Sequence, residues 1–366
     1  MSKTLITERL CTMCGTCVGV CPTDALDVNL RGYPVRDIDR CMNCNLCMEV
    51  CPGIGIDMPA FTEKIFGDVY KIENKLGIFK DAYAVSSTNS DLKLNGTSGG
   101  FITDFLVQLL ETKQIDGAIV TTTSEAHPEK AEVIVAQTKK EILESTQSKY
   151  ISVSVNQIFR EIKKKEGKFA LVGLPCHIQG FRKLSAVDPN TAKKIVLTIG
   201  LYCGMTMKPK ATSDIIKYFK VSPETIQKIE YRGGNWPGEF RILLKNGIKY
   251  SLHKDIYRYF FRLYCPERCI YCIDYSNELA DISVADAWIV GKNGQWRYPD
   301  GKSIVLIRTK TGKHFFEISK KKNSFFLEKL HREVVFESHK GTIRSRKIGS
   351  IQRLINSKRE LNPDYN

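Results

Sequence analysis

The sequence predicts a multidomain α/β (α+β) protein in which a small cysteine-rich module precedes a larger α/β body with a mixed sheet. The chain has 366 residues, 42% of them apolar, which is enough for two or three domains with their own cores. Eight of the 13 cysteines lie within the first 51 residues, in a duplicated pattern. From about residue 79 onward, short apolar strands alternate with amphipathic helices, as in α/β proteins.

The first element is the duplicated cysteine run. The pattern Cys-x2-Cys-x2-Cys-x3-Cys-Pro occupies residues 11–22 and recurs at residues 41–52. Three such thiolates can bind three irons of one four-iron, four-sulfur cluster, while the fourth cysteine reaches the other cluster. Zinc prefers paired Cys-x2-Cys knuckles, so we expect residues 1–60 to form a bacterial-type ferredoxin domain with two clusters. The predicted ligands are Cys11, Cys14, Cys17 and Cys51 for one cluster and Cys41, Cys44, Cys47 and Cys21 for the other.

Residues 61–78 are predicted to be a polar connector and residues 79–220 an α/β region. The predicted strands of this region are Ala82–Ser86, Gly117–Thr121, Glu132–Ala136, Phe169–Gly173 and Ile195–Tyr202. Its predicted helices are Gly100–Glu111, Lys139–Glu144, Val155–Lys165 and Lys210–Phe219.

Residues 221–366 are predicted to be an α+β region with a basic tail. The dipeptide Asn246-Gly247 between two apolar runs is a strong hairpin signal. The predicted strands are Ile226–Tyr231, Glu239–Leu244, Ile248–Leu252, Ile282–Ala285, Ser303–Arg308 and His314–Ile318, and a helix is expected near Phe325–His331.

Four of the remaining cysteines could bind a third cluster. Cys176 and Cys203 each follow an apolar strand, and the carboxyl ends of neighbouring parallel strands meet at one edge of a sheet. Cys269-x2-Cys272 supplies a pair with metal-ligand spacing. The alternative is two buried strand-end thiols plus a small zinc site, and Cys265 has no assigned role.

Two polar turns and two single residues are candidate cofactor contacts. Glycines before a helix let backbone N–H groups approach an anionic or ring-carbonyl ligand; a plain helix cap and an exposed strand start are the alternatives for these two turns. Trp236 lies in a glycine-rich block and could cover a flat cofactor, or cap a core. His177 follows Cys176 and is a candidate proton-transfer group, although a lone histidine is more often structural. The turns are Thr97-Ser98-Gly99-Gly100 and Ser148-Lys149-Tyr150.

Charge is distributed unevenly along the chain. The net charge is +15; residues 1–60 hold five basic and seven acidic side chains, so the remainder carries +17. Such a field can attract an acidic protein or a phosphate-rich cofactor, or it can be a solvated surface. Interleaved aromatic and basic motifs are missing, which argues against nucleic-acid binding. We expect a cytoplasmic protein without a membrane span, because no signal sequence and no window of about 18 apolar residues is present.

Together these features resemble the family of beta subunits of coenzyme F420 hydrogenase and dehydrogenase, over nearly the whole chain. The most specific points are Gly173-Leu174-Pro175-Cys176, the block from Tyr231-Arg232 to Trp236-Pro237-Gly238, and Cys269-x2-Cys272 followed by Ala280 to Trp288. One departure is Ala285, where relatives usually have glycine.

The resemblance implies an FAD-binding body, with the flavin near the two polar turns and a third cluster at Cys176, Cys203, Cys269 and Cys272. A flavin handles electron pairs and each cluster handles single electrons, so their combination suits an oxidoreductase. The predicted function is exchange of electrons between a ferredoxin or partner redox subunit and a small-molecule hydride carrier, coenzyme F420 being the best guess. The alternative is a non-catalytic electron-transfer subunit of a larger complex.

Overall fold

The computed structural model of the chain describes residues 3–4, 6–357 and 362–365. Its strands form one mixed sheet of eight strands and two antiparallel sheets of three strands each. In chain order the strands are β1 (Lys3–Thr4), β2 (Leu26–Val28), β3 (Pro34–Arg36), β4 (Asp81–Ser87), β5 (Gly117–Thr123), β6 (Ala131–Ala136), β7 (Phe169–Gly173), β8 (Ile195–Leu201), β9 (Ile226–Gly233), β10 (Glu239–Leu244), β11 (Lys249–Leu252), β12 (Ile282–Asp286), β13 (Ser303–Ile307) and β14 (Phe325–Lys329).

The helices pack around these sheets, and none of those in the described ranges is long and apolar enough to cross a membrane. They are α1 (Thr16–Val20), α2 (Leu46–Glu49), α3 (Met58–Phe66), α4 (Ser90–Asn95), α5 (Phe101–Glu111), α6 (Lys139–Glu144), α7 (Phe159–Ile162), α8 (Pro175–Val187), α9 (Pro189–Ala192), α10 (Lys210–Tyr218), α11 (Lys254–Tyr264), α12 (Glu267–Ile270), α13 (Lys310–Lys320) and α14 (Arg332–Ile355).

The large sheet has the order β14-β4-β13-β12-β8-β7-β5-β6. Strands β12, β8, β7 and β5 are parallel to one another, and the other pairings are antiparallel. Alternate residues of the parallel strands face opposite cores: Ala170 packs with Phe101 and Phe316 on one side, and Leu171 packs with Ile178 and other residues of α8 on the other. The predicted fold class, an α/β body with a mixed sheet, is therefore confirmed.

Two predicted elements at the end of the chain are wrong. The segment His314–Ile318 is part of helix α13 and not a strand, and Phe325–His331 begins as strand β14 and not as a helix. Both segments are short apolar runs, which periodicity alone cannot assign. The deciding signal for α13 is its N-cap, where the Thr309 side chain accepts a hydrogen bond from the N–H of Gly312 at 3.0 Å.

The cysteine-rich module is docked firmly on the body. The Asn156 amide donates hydrogen bonds to the Thr16 hydroxyl and to the His177 carbonyl, both at 2.8 Å. The N–H of Asn156 also donates to the carbonyl of Cys14 at 2.9 Å. Gly19 is packed so closely that an added Cβ would lie 2.2 Å from the Asn156 carbonyl oxygen. Backbone contacts of this kind fix the module's orientation, so its cysteines hold a defined position relative to the large sheet.

Candidate functional site

The eight cysteines of residues 11–51 lie in two groups. The Cys17 thiol interacts electrostatically with Cys14, Cys51 and Cys11 and least with Cys47, whereas Cys47 interacts most with Cys44 and also with Cys21. The fourth cysteine of each run, Cys51 or Cys21, thus lies near cysteines of the other run. Burial raises the pKa of Cys11 to about 12 and that of Cys51 to about 11. Bound metal would oppose this shift because it stabilises thiolates.

The two groups differ in exposure. Cys11 and Cys14 are buried, whereas Cys44 is exposed. Helix α2, which carries Cys47, has no buried residue, and Met42 beside it is 63% exposed. The group that contains Cys44 therefore faces away from the body.

Four of the remaining cysteines meet at a small cavity between the module and the body. Cys176 lies in the first turn of α8 and Cys203 follows β8, while Cys269 lies on α12 and Cys272 just after it. All four line the cavity, together with Thr12 of the module. Thr12 also lines the cavity formed by Cys11, Cys14 and Cys51. Thr12 thus lies between the two sets of thiols, and the Cys176 thiol interacts electrostatically with Cys14.

The third group brings four thiols to one small cavity. A cluster would give each of these cysteines its own iron, whereas a tetrahedral zinc ion would need all four sulfurs at about 2.3 Å from one point. Cys265 lies beside the group and hydrogen-bonds Cys269, which lowers the pKa of Cys269 to about 7.

A second, much larger cavity of about 700 Å³ opens at the carboxyl edge of the parallel strands. Gly173 of β7, Leu201 of β8 and Asp286 of β12 line it, as do residues of α11 and β10. Its size is that of a small-molecule or cofactor site, and its place is where α/β sheets bind ligands. The sequence-predicted residues that line it are Thr97, Ser98, Gly100, Ser148, Lys149, Tyr150 and His177.

Gly99 and Trp236 are also predicted cofactor contacts, but they lie outside this lining. A Cβ on Gly99 would be 2.3 Å from the carbonyl oxygen of Val85, so the missing side chain lets the turn pack against β4. The ring of Trp236 packs against that of Trp288 at an angle of 33°, with 4.7 Å between ring centroids. Trp288 is the tryptophan that lines the cavity.

Lys149 shapes the turn that lines the cavity. Its ammonium donates hydrogen bonds to the carbonyls of Ser145, Thr146 and Gln147 at 2.7, 2.6 and 3.1 Å. These bonds use all three donors of the ammonium. Burial lowers the pKa of Lys149 to about 7, and the carbonyls oppose that shift because they stabilise the charged form. Its contacts therefore hold residues 145–147 and leave no donor for a phosphate.

Several buried polar atoms of the cavity lining lack a hydrogen-bond partner within the described ranges. They are the Tyr202 and Tyr257 hydroxyls, Nη2 of Arg232 and Oδ1 of Asp286. Nη1 of Arg232 is paired with Oδ2 of Asp286 at 2.7 Å, so one atom of each group remains for a ligand. Buried polar atoms are costly without partners. This lining therefore fits a ligand with several polar groups.

His177 lies in the wall between the two cavities. It lines both of them, and so do Leu174 and Met205. Its Nδ1 accepts a hydrogen bond from the N–H of Leu174 at 3.0 Å, and burial lowers its pKa to about 4. The imidazole is therefore neutral at physiological pH, with its proton on Nε2.

Sequence reasoning missed a polar cluster on the opposite side of the cavity. Nδ1 of His339 on α14 shares a hydrogen bond with the Tyr275 hydroxyl at 2.8 Å, and both residues line the cavity with Tyr202, Arg232 and Asp286. Asp286 ends strand β12 at the ligand-binding edge, which is a usable signal once the strand order is known. His339 offers no such signal, because it comes from a distant helix.

Comparisons with known proteins agree with this architecture. Residues 10–54 match the family model of a 4Fe-4S dicluster domain. Residues 82–160 match the N-terminal model of the coenzyme F420 hydrogenase/dehydrogenase beta subunit, and residues 166–333 match the C-terminal model of the same subunit.

The chain is similar to named proteins of two archaea. It is 26% identical over 342 residues to a coenzyme F420-dependent sulfite reductase of Methanocaldococcus jannaschii, a match that covers 90% of this chain but only 49% of that relative. It is 28% identical over 319 residues to a subunit of the F(420)H(2) dehydrogenase of Methanosarcina mazei, covering 86% of this chain and 83% of the relative.

A solved structure shares the fold. A chain of the F420-reducing NiFe hydrogenase complex from Methanosarcina barkeri superimposes with a TM-score of 0.62 at 22% identity, over 79% of this chain and 97% of that one.

Proposed function

The chain belongs to the family of coenzyme F420 hydrogenase/dehydrogenase beta subunits, and on that premise we propose that it is a flavin- and iron-sulfur-dependent oxidoreductase of coenzyme F420. One observation carries the proposal. Thr12 lines both the small cavity of the Cys176 group and the cysteine cavity of the module. On the other side, His177 and Leu174 line both the small cavity and the large cavity. The redox sites would thus form one line from the exposed Cys44 group to the cavity.

We propose that Cys176, Cys203, Cys269 and Cys272 hold a third cluster. Burial raises the pKa of Cys176, Cys203 and Cys272, so as free thiols these three would be neutral and inert. If these thiols only filled space around the cavity, small apolar residues could do the same. Iron binding gives them a role, since it stabilises all four cysteines as thiolates.

The flavin belongs in the large cavity. When bound, a flavin exchanges electron pairs with a hydride carrier and single electrons with clusters. The polar atoms left over on Tyr202, Arg232 and Asp286 can accept or donate hydrogen bonds to its heteroatoms. Trp288 offers an aromatic face, and His177 closes the side toward the cysteine group. The neutral His177 would add no charge to this wall.

The hydride carrier is proposed to be coenzyme F420 and the electron partner a ferredoxin or a partner redox subunit. Both archaeal relatives carry F420 in their names. The exposed cysteine group offers the point of electron exchange, because Cys44 and Met42 are open to a partner surface. The alternative is a non-catalytic subunit that only transfers electrons within a larger complex. In that case the isolated chain would bind no F420.

The test is anaerobic purification of the full chain, reduction with dithionite-reduced ferredoxin, and measurement of the F420 absorption band. We expect the band to bleach with turnover and about one flavin to be released per chain on denaturation. If the chain carries the clusters but neither binds flavin nor bleaches F420, the oxidoreductase proposal is refuted and the non-catalytic electron-transfer function remains. The variant Tyr202→Phe, which removes one unpaired hydroxyl, should alter flavin retention while the iron content stays constant.

A further inference from the structure

We propose that Arg268 raises the reduction potentials of two iron-sulfur clusters together, because its buried guanidinium lies between the third cysteine group and the Cys51 loop of the module. The inference rests on the proposed third cluster. It assigns Arg268 a positioning and tuning role, not a catalytic one.

Arg268 lies directly beside the third group. It is the second residue of α12 and precedes Cys269 in the chain. Its side chain is among the largest fully buried ones in the described ranges, and it lines the small cavity with Cys269 and Cys272. Its charge interacts with both of those thiols.

The same guanidinium also contacts the module. Nε donates a hydrogen bond to the carbonyl of Gly53 at 2.8 Å, and Nη2 donates one to the carbonyl of Pro52 at 3.2 Å. These two carbonyls follow Cys51, a ligand expected for the cluster nearest the body. A single planar group thus connects the loops of two cluster sites.

No ion pair between Arg268 and a carboxylate is found among the described residues. Its guanidinium carbon lies 5.1 Å from the centroid of the Tyr365 ring. A buried cation that is held only by neutral carbonyls is unfavourable, whereas a cluster with thiolate ligands is negatively charged. Each cluster gains one more negative charge on reduction, so a fixed cation favours the reduced form.

Lys183 provides a comparison within the same chain. Its ammonium donates to the carbonyls of Cys51 and Gly55 at 3.1 and 2.9 Å. Its charge interacts with Cys51 and Cys14, and, unlike Arg268, its side chain is not part of the lining of the small cavity. Lys183 should therefore tune one cluster, whereas Arg268 should tune two. A shared cation shifts both potentials in the same direction.

The experiment is a potentiometric titration of the anaerobic full chain, followed by electron paramagnetic resonance, for the wild type, Arg268→Gln, Arg268→Lys and Lys183→Gln. At fixed potential, Arg268→Gln should lower the ratio of reduced to oxidised form about tenfold for two clusters, which is about 59 mV for a one-electron couple. Arg268→Lys, which keeps the charge, should restore most of the shift. Lys183→Gln should shift one cluster only.

Iron analysis separates the possible failures. About eight irons in the wild type would refute the third cluster, and this inference with it. Two other results, each with about twelve irons in the wild type, would refute the role of Arg268 but not the third cluster. They are unchanged potentials in Arg268→Gln and a shift confined to one cluster. If Arg268→Gln binds less iron than the wild type, Arg268→Met, which has no charge and an unbranched side chain, is titrated under the same criteria.

Discussion

Replacing Cys269 and Cys272 together by alanine should lower the iron content of the anaerobically purified chain by one third. Three groups of four cysteines hold about twelve irons, and loss of two ligands from one group leaves about eight. Both residues are changed because three remaining thiolates could still retain part of a cluster. The double variant should therefore lose one complete set of four irons.

The fold of this loop should survive the double substitution, because helix α14 holds its backbone. Arg346 donates to the carbonyl of Cys269 at 2.6 Å, and the Ser350 hydroxyl donates to the carbonyl of Cys272 at 3.0 Å. Neither bond involves a thiol. A loss of iron without a loss of helix content in circular dichroism is thus the expected combination.

The assay is iron and acid-labile sulfide per chain, with spin counting after full reduction. Cys265→Ala is the matched control, since Cys265 borders the same group and should leave about twelve irons. An iron content near eight in the wild type, unchanged in the double variant, would refute the third cluster. A loss of iron in Cys265→Ala would refute the choice of the four ligands.

Four further predictions concern the cavity, its turns and the surface. Arg232→Gln should release the flavin while the irons remain, and Arg241→Gln on the same sheet should not; flavin absorbance after denaturation measures both. Lys149→Met leaves three carbonyls without their donor, so we expect about 1–3 kcal/mol of lost stability in thermal unfolding. Gly99→Val places a side chain against the backbone of β4 and should lower the melting temperature together with flavin content; flavin loss at an unchanged melting temperature would contradict this. Reversing the lysine run 320–322 to glutamate should slow association with an acidic ferredoxin at low salt, with rates converging at high salt because the Debye length is about 8 Å at physiological ionic strength.

Much of the architecture could be predicted because its signals are local. Strand β7 runs from Phe169 to Gly173, the bounds that its apolar run predicts. The hairpin at Asn246-Gly247 joins β10 to β11 in antiparallel register, and Gly247 has the positive φ of 86° that such a turn favours. In each case the deciding residues are neighbours in the chain.

The cavity could be predicted only in part, because distant segments build it. Both polar turns reach its lining, since each precedes or follows an apolar element that the sequence reveals. The choice between Trp236 and Trp288 depends on how two loops stack, which no local pattern records. Tyr202 and His339 meet at 5.3 Å between ring centroids although 137 residues separate them.

Helix α14 shows why a helix with a polar buried face is missed by sequence patterns. The helix has 24 residues, yet the sequence pattern does not reveal it, because its buried face carries charged and polar groups as well as apolar ones. Lys347 is buried in an ion pair with Glu278 at 2.5 Å, and Arg346 and Ser350 bond the loop of the third cysteine group. An amphipathic pattern requires apolar residues on the inner face. The polar side chains that hold the loop in place are therefore the same ones that remove the helical signal from the sequence.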